Sequence, residues 1–266
     1  MTTPGPKPYL TPAGPVLRMS GVTVAALRDP SRILLEDVNW TVNGGEYWAI
    51  GGLLLSGKTD LLGVAGGLQR PAQGELLLFG EPAISDQEDD HLAVRRRVGF
   101  VFDGGQLLHG LTLAENVALP LRYHFAGDDA DLASRLDALI ALTSLEPWSQ
   151  RRPAEVSRNW QQRFGLARAL ALKPELLLLD DPLSGLDPRD AEWWLDTLEA
   201  LSKGHALLDK KSLTLIVTGN DLRPWRGRAR QFALLQDQKF IALGDRAALD
   251  APCEPALAEL LRPWHS

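Results

Sequence analysis

The sequence predicts an α/β fold: a mainly parallel sheet flanked by helices, with an antiparallel, strand-rich N-terminal part and an inserted helical subdomain. Three observations carry this. Short, almost wholly apolar runs at Leu176–Leu179 and Leu213–Val217 have the composition of strands buried on both faces, as in parallel sheets. These runs alternate with helical segments, Trp160–Leu172 and Pro188–Ser202, and such alternation builds βα units. The opening from Val16 instead alternates apolar and polar residues, the pattern of half-buried antiparallel strands.

Taken in order, strands are expected at Val16–Ala25, Ile33–Val42 and Glu46–Ile50, the last after a Gly44-Gly45 turn. A helix over Thr59–Ala65 is stopped by Gly66-Gly67, and a short strand over Glu75–Phe79 ends at Gly80. Gln87–Arg97 reads as a charged, solvated helix, Val98–Phe102 as a buried strand and Leu113–Leu119 as a helix. In Asp128–Leu142, Leu132, Leu136, Leu139 and Leu142 recur near helical spacing. Phe232–Leu235 and Phe240–Leu243 flank Gln236-Asp237 as a hairpin. The expected organisation is a proline-rich tail over 1–15 (Pro4, Pro6, Pro8, Pro12, Pro15), a domain over 16–250 with its helical subdomain at about 87–172, and a C-terminal helix or tail over 251–266.

The chain has 266 residues, 45% of them apolar and 23% charged, the average of a soluble globular protein, which excludes a disordered or fibrous chain. Lysine and arginine total 28 against 34 aspartates and glutamates, and a net charge of −6 argues against a nucleic-acid partner. The single cysteine, Cys253, excludes an internal disulfide and a cysteine metal cluster. The longest apolar run, Tyr47–Leu55, is about half of the roughly 20 residues of a membrane span. The N-terminal residues lack the basic start and apolar stretch of a secretion signal. A soluble, cytoplasmic protein is expected.

Gly52-Leu53-Leu54-Leu55-Ser56-Gly57-Lys58-Thr59 fits GxxxxGK[ST] between an expected strand and helix, the context of a phosphate-binding loop. Backbone N–H groups at the helix start would face phosphate oxygens, with the helix dipole favouring the anion. Lys58 would reach the β and γ phosphates of a nucleotide, and the Thr59 hydroxyl would ligate Mg²⁺. Leu53–Leu55 put bulky side chains where such loops are small or polar, and a leucine forced left-handed costs roughly 1–2 kcal/mol. Leu176–Leu179 followed by Asp180-Asp181 describes a buried strand ending in carboxylates at the edge where open α/β sheets bind ligands, with Asp180 holding Mg²⁺.

In this order, these segments resemble the nucleotide-binding (ATPase) subunit of ABC transporters. Ser184-Gly185-Leu186-Asp187-Pro188 is similar to that family's D-loop, and Gly165–Leu172 before Pro174-Glu175 to the helix preceding its acidic strand. Val98–Phe102, with Leu113–Pro120 and Tyr123-His124, is similar to ATPases of bacterial Mla-type lipid transport. The resemblance implies the phosphate-loop ATPase fold, ATP and Mg²⁺, a head-to-tail pair of nucleotide-binding subunits and a membrane permease subunit, the chain lying peripherally at the inner face of the membrane.

Several working positions depart from the family. Asp103 stands for the Q-loop glutamine, where its carboxylate would serve as a Mg²⁺ ligand. Val156-Ser157-Arg158-Asn159-Trp160 stands for the signature, leaving Ser157 and Arg158 to face a partner's ATP. Asp181 stands for the catalytic glutamate as a weak candidate base, and Gly219-Asn220-Asp221 for the switch histidine. Arg158 would either contact the partner's phosphate or obstruct it. Trp160 is expected to pack, as is one of Trp193 and Trp194. The resulting expectation is an ATP-binding subunit with weakened hydrolysis, possessing a hetero-partner with intact motifs and serving a lipid or organic-solvent type of transporter. The alternatives are a slow ATPase homodimer and a soluble regulatory or scaffold pseudo-ATPase.

Overall fold

The structure, a computed structural model, describes residues 14–83, 88–124, 128–250 and 261. Most of the expected N-terminal tail and of the expected C-terminal helix or tail lies outside them. The N-terminal strands are β1 (Leu17–Ala26), β2 (Asp29–Val42) and β3 (Tyr47–Gly52), followed by α1 (Lys58–Ala65), β4 (Gln73–Leu78) and β5 (Glu81–Pro82). The middle holds α2 (Glu88–Arg95), β6 (Val98–Val101), α3 (Leu113–His124), α4 (Asp129–Thr143) and α5 (Arg158–Leu170). Then come β7 (Leu176–Leu179), α6 (Pro188–Lys203), β8 (Thr214–Gly219), β9 (Gln231–Gln236), β10 (Lys239–Gly244) and α7 (Arg246–Asp250).

Among the described residues these strands form two sheets. The larger runs β10-β9-β3-β8-β7-β6, parallel from β9 to β6, with the expected hairpin adding β10 antiparallel. The smaller, β2-β1-β4-β5, is antiparallel throughout. Alternate residues of β7 enter opposite cores: Leu177 and Leu179 join one with α3–α6, Leu176 and Leu178 the other with α1 and the antiparallel sheet. That is why this strand reads as a continuous apolar run. The span 87–172 contains β6, which pairs with β7 in the large sheet, while α3, α4 and α5 pack on one another.

Several boundaries differ from the sequence reading: β2 begins at Asp29 rather than Ile33, and two helices differ for local reasons. α3 continues through Pro120 to His124; the ring removes one helical hydrogen bond, and burial of Leu121 holds the last turn in place. α5 begins at Arg158, two residues early, because the Ser157 hydroxyl caps it by accepting from Trp160 N at 3.3 Å.

This topology brings the C-terminal ends of β3, β8 and β7 side by side. The loop after β6 is seated on α5 by close backbone approach. A Cβ on Gly105, whose φ is +76°, would lie 2.4 Å from the Gln161 carbonyl oxygen. The Arg168 guanidinium donates to the Gly105 and Gln106 carbonyls at 2.8 and 3.0 Å. Asp103 is thereby carried to the site's edge by α5.

Candidate functional site

β3 delivers Gly52 to the sheet edge, and the chain turns through Leu53–Gly57 into α1. Gly57, the N-cap, has φ 88° and makes no side-chain cap, so the first N–H groups of α1 are left to an anion at the helix start. The Ser56 hydroxyl is buried with no hydrogen-bond partner among the described residues. A Cβ at Gly52 would lie 2.4 Å from that oxygen, so glycine is what lets Ser56 tuck beneath the loop. The strain expected of the leucines falls on Leu55, at φ 65°. Leu54 and Leu55 are 82% and 83% exposed, so their bulk stands in solvent and the backbone is left to form the cradle.

The Lys58 ammonium is buried and donates to Gly52 O at 2.6 Å, Leu53 O at 2.8 Å and Asn220 Oδ1 at 2.9 Å. Burial pushes its pKa down, against the pull of Asp181 and Asp180. The Thr59 hydroxyl donates to Asp180 Oδ2 at 2.7 Å, and the Thr218 hydroxyl donates to Asp180 Oδ1 at 3.0 Å. Burial raises the Asp180 carboxyl above its ordinary range despite these donors. Thr59 and Asp180 thus present two hard oxygens within hydrogen-bond reach of each other. That donor set fits Mg²⁺, which takes one or two protein oxygens and fills its shell with phosphate and water.

Asp181 adopts φ 43° and its N–H donates to Thr218 Oγ1 at 3.1 Å, while Asn220 Nδ2 donates to its Oδ2 at 3.1 Å. Burial pushes its carboxyl up to about 6, opposed by Lys58 and reinforced by Asp180 and Asp103. The site therefore concentrates carboxylates around one lysine, and a polyphosphate would need a cation to offset their repulsion.

Asp103 and Arg158, expected to face a metal and a partner's ATP, form an ion pair with each other. Asp103 lies near enough for its charge to raise both Asp180 and Asp181. Among the described residues no group of three or more His, Cys, Asp or Glu side chains gathers into a metal cage. Asn159 bonds Asp190 of α6, which also pairs with Arg163 beneath the Trp193 ring at 3.9 Å. Trp160 packs on Trp148 at 4.8 Å between centroids, and Trp194 is fully buried, as expected of packing aromatics. Asn159 and Trp160 are thus tied into the fold at the foot of α5.

Sequence reasoning missed Thr218 and Asn220. The available signal was positional: polar residues closing the apolar run of β8, beside the strand that carries Asp180.

The ABC transporter family matches residues 35–184, more than half of the chain. With the phosphate loop and acidic strand so arranged, the chain belongs to the ABC transporter family, as an ATPase domain. It is 30% identical over 215 residues to the methionine import ATP-binding protein MetN of Protochlamydia amoebophila, covering 81% of this chain and 61% of that one. It is 33% identical over 245 residues to the sulfate/thiosulfate import ATP-binding protein CysA of Xanthomonas campestris pv. campestris, covering 88% and 67%. The chain thus spans about three fifths of the length of the methionine import relative. The dimeric ATP-binding cassette MJ0796, in a post-hydrolysis state bound to ADP and Pi, superposes with a TM-score of 0.74 at 28% identity, over 84% of this chain and 95% of that one.

Two outcomes follow from this geometry. Leu55→Gly relieves a left-handed leucine, offset in part by the freedom glycine gives the unfolded chain; chemical denaturation should show stability unchanged or raised by up to about 1 kcal/mol. Leu54→Gly, at a residue without positive φ, should cost about 0.5–1 kcal/mol, and equal losses in both variants would contradict the strain. Without nucleotide or magnesium, Asp181 titrates near 6 when folded against 3.8 for the free side chain. Its contribution to stability is full below the lower value and lost as pH rises through the upper one. The melting temperature of wild type relative to Asp181→Asn should therefore fall between about pH 4 and pH 7; a constant difference would mean the carboxyl is not desolvated.

Proposed function

We propose that the chain is an ATP-binding subunit of an ABC transporter that holds Mg-ATP through Gly52–Thr59 and Asp180 and hydrolyses it slowly. The single observation that carries this is the constellation of Lys58, Thr59 and Asp180 around a helix start whose N–H groups have no side-chain cap. Magnesium would supply charge neutralisation between the phosphates and the carboxylates. Lys58 would hold the β and γ phosphates. Asp181, a methylene shorter than the family's glutamate, has less reach to an attacking water, and general-base assistance is typically worth about 10²–10⁴-fold.

A permease partner is supported by a groove of about 620 Å³ between the sheet edge and the helical part, lined by Leu92, Phe100, Leu119, Tyr123 and Leu172. Leu92, Leu119 and Tyr123 are exposed apolar residues there, and Arg95 and Arg96 border them. An amphipathic helical segment of a permease matches that chemistry. No helix among the described residues is long and apolar enough to cross a membrane. The likeness to Mla-type ATPases falls on residues of this groove, and so concerns the permease-facing wall; cargo would be set by the permease. We assign the second nucleotide-binding subunit to a hetero-partner. Arg158 is engaged by Asp103 of its own chain, and in the family's head-to-tail pairing its side chain would stand where a partner's phosphate needs close backbone approach. A homodimer would place this obstruction at both sites.

Calorimetric titration of Mg-ATP into wild type should show binding, and Lys58→Ala should abolish it. Absence of heat with wild type at millimolar nucleotide would overturn the reading. Vigorous ATPase turnover by the isolated chain, lost in Lys58→Ala, would favour the homodimeric ATPase instead.

A further inference from the structure

An ammonium group has three protons, and in this chain all three of Lys58 are committed: two to carbonyls of its own loop and the third to Asn220 Oδ1. The Asn220 amide is fixed in this sense by its two neighbours. Nδ2 donates to Asp181 Oδ2 at 3.1 Å, and reversing the amide would set donor against donor at Lys58 and acceptor against acceptor at Asp181. Asn220 follows Gly219, the last residue of β8, at a strand end beside Asp181. From there its side chain reaches both Asp181 and the lysine.

We propose that Asn220 is a positioning residue that acts as an internal competitor for the nucleotide: its amide oxygen occupies the Lys58 proton that a terminal phosphate must take. The proposal rests on the reading of Gly52–Thr59 as a nucleotide site. Binding a polyphosphate requires the Lys58–Asn220 bond to break, and breaking it also releases the amide from its bridge to Asp181. Nucleotide occupancy and the freedom of Asp181 are thereby coupled through one side chain. An asparagine suits this role because it is neutral: it accepts from the lysine strongly enough to hold it and yields to a phosphate oxygen, whose charge-assisted bond is stronger.

The direction of the mutational effect separates this from a direct phosphate contact. Asn220→Ala removes the competitor, so both Mg-ATP and Mg-ADP should bind about 2- to 12-fold more tightly by calorimetry, the worth of one net hydrogen bond. Asn220→Asp keeps the shape but offers Lys58 a carboxylate, so affinity should fall by about tenfold or more. Unchanged or weaker binding in Asn220→Ala, with wild type still binding, would overturn the competitor role and leave the nucleotide site standing. If Asn220→Ala does not fold, Asn220→Asp decides alone, and undiminished affinity there overturns the proposal. Binding by Asn220→Ala where wild type shows none would support the competitor and overturn only the reading that wild type itself holds Mg-ATP; no binding by any of the three proteins would overturn both the proposal and the reading beneath it.

Discussion

The Asp180 carboxylate is the contact on which the site depends. It stands at the end of β7 and accepts from Thr59 at the start of α1 and from Thr218 at the end of β8, so one side chain ties the phosphate loop to two strands. Both of its oxygens are thereby satisfied in a buried setting, where an unpaired carboxylate would be costly. The arrangement leaves Thr59 and Asp180 adjacent as oxygen donors and aligns Lys58 with the carbonyls of its own loop. Everything else at the site is read relative to this knot: Asp181 follows it in the chain, Asn220 spans from Lys58 to Asp181, and Asp103 adds negative charge from the side.

On the proposed function, nucleotide binding and turnover separate along that arrangement. The groups that would bind phosphate and magnesium are in place, on rigid elements and close together. On that reading the groups that would handle water are replaced: Asp181 is short and desolvated, and among the described residues its side-chain donor, Asn220, is shared with Lys58. At the opposite edge lies the segment Val156–Trp160, in which Ser157 and Arg158 are exposed. Ser157 caps α5, Asn159 and Trp160 fasten its foot to α6 and Trp148, and Arg158 pairs with Asp103. These contacts hold the start of the helix they sit on.

The parts of the fold legible in the sequence were those governed by local pattern. The apolar run of β7 is continuous because its residues enter two cores, and β9 and β10 form the hairpin that their apolar runs imply, with its turn one residue later than read, at Asp237-Gln238. The phosphate loop was legible because a glycine, a lysine and a threonine must follow one another at a helix start. The strain at Leu55 was legible as a cost and its position was not, because φ is set by how the loop closes. What escaped was long-range pairing. Asp103 and Arg158 are 55 positions apart, and Lys58 and Asn220 are 162 apart; each pair meets only once the strands are ordered. Asn220 looked like the loss of a histidine, and the sheet shows it to be a gain of a bridge.

On the proposed function, this chain retains the machinery for holding ATP and has lost most of that for splitting it. The most direct measurement mixes the protein with an equal amount of radiolabelled Mg-ATP, separates bound from free nucleotide over time and identifies what is bound. The account predicts that bound label remains ATP for many minutes. Rapid conversion to bound ADP, or no retained nucleotide at all, would contradict it.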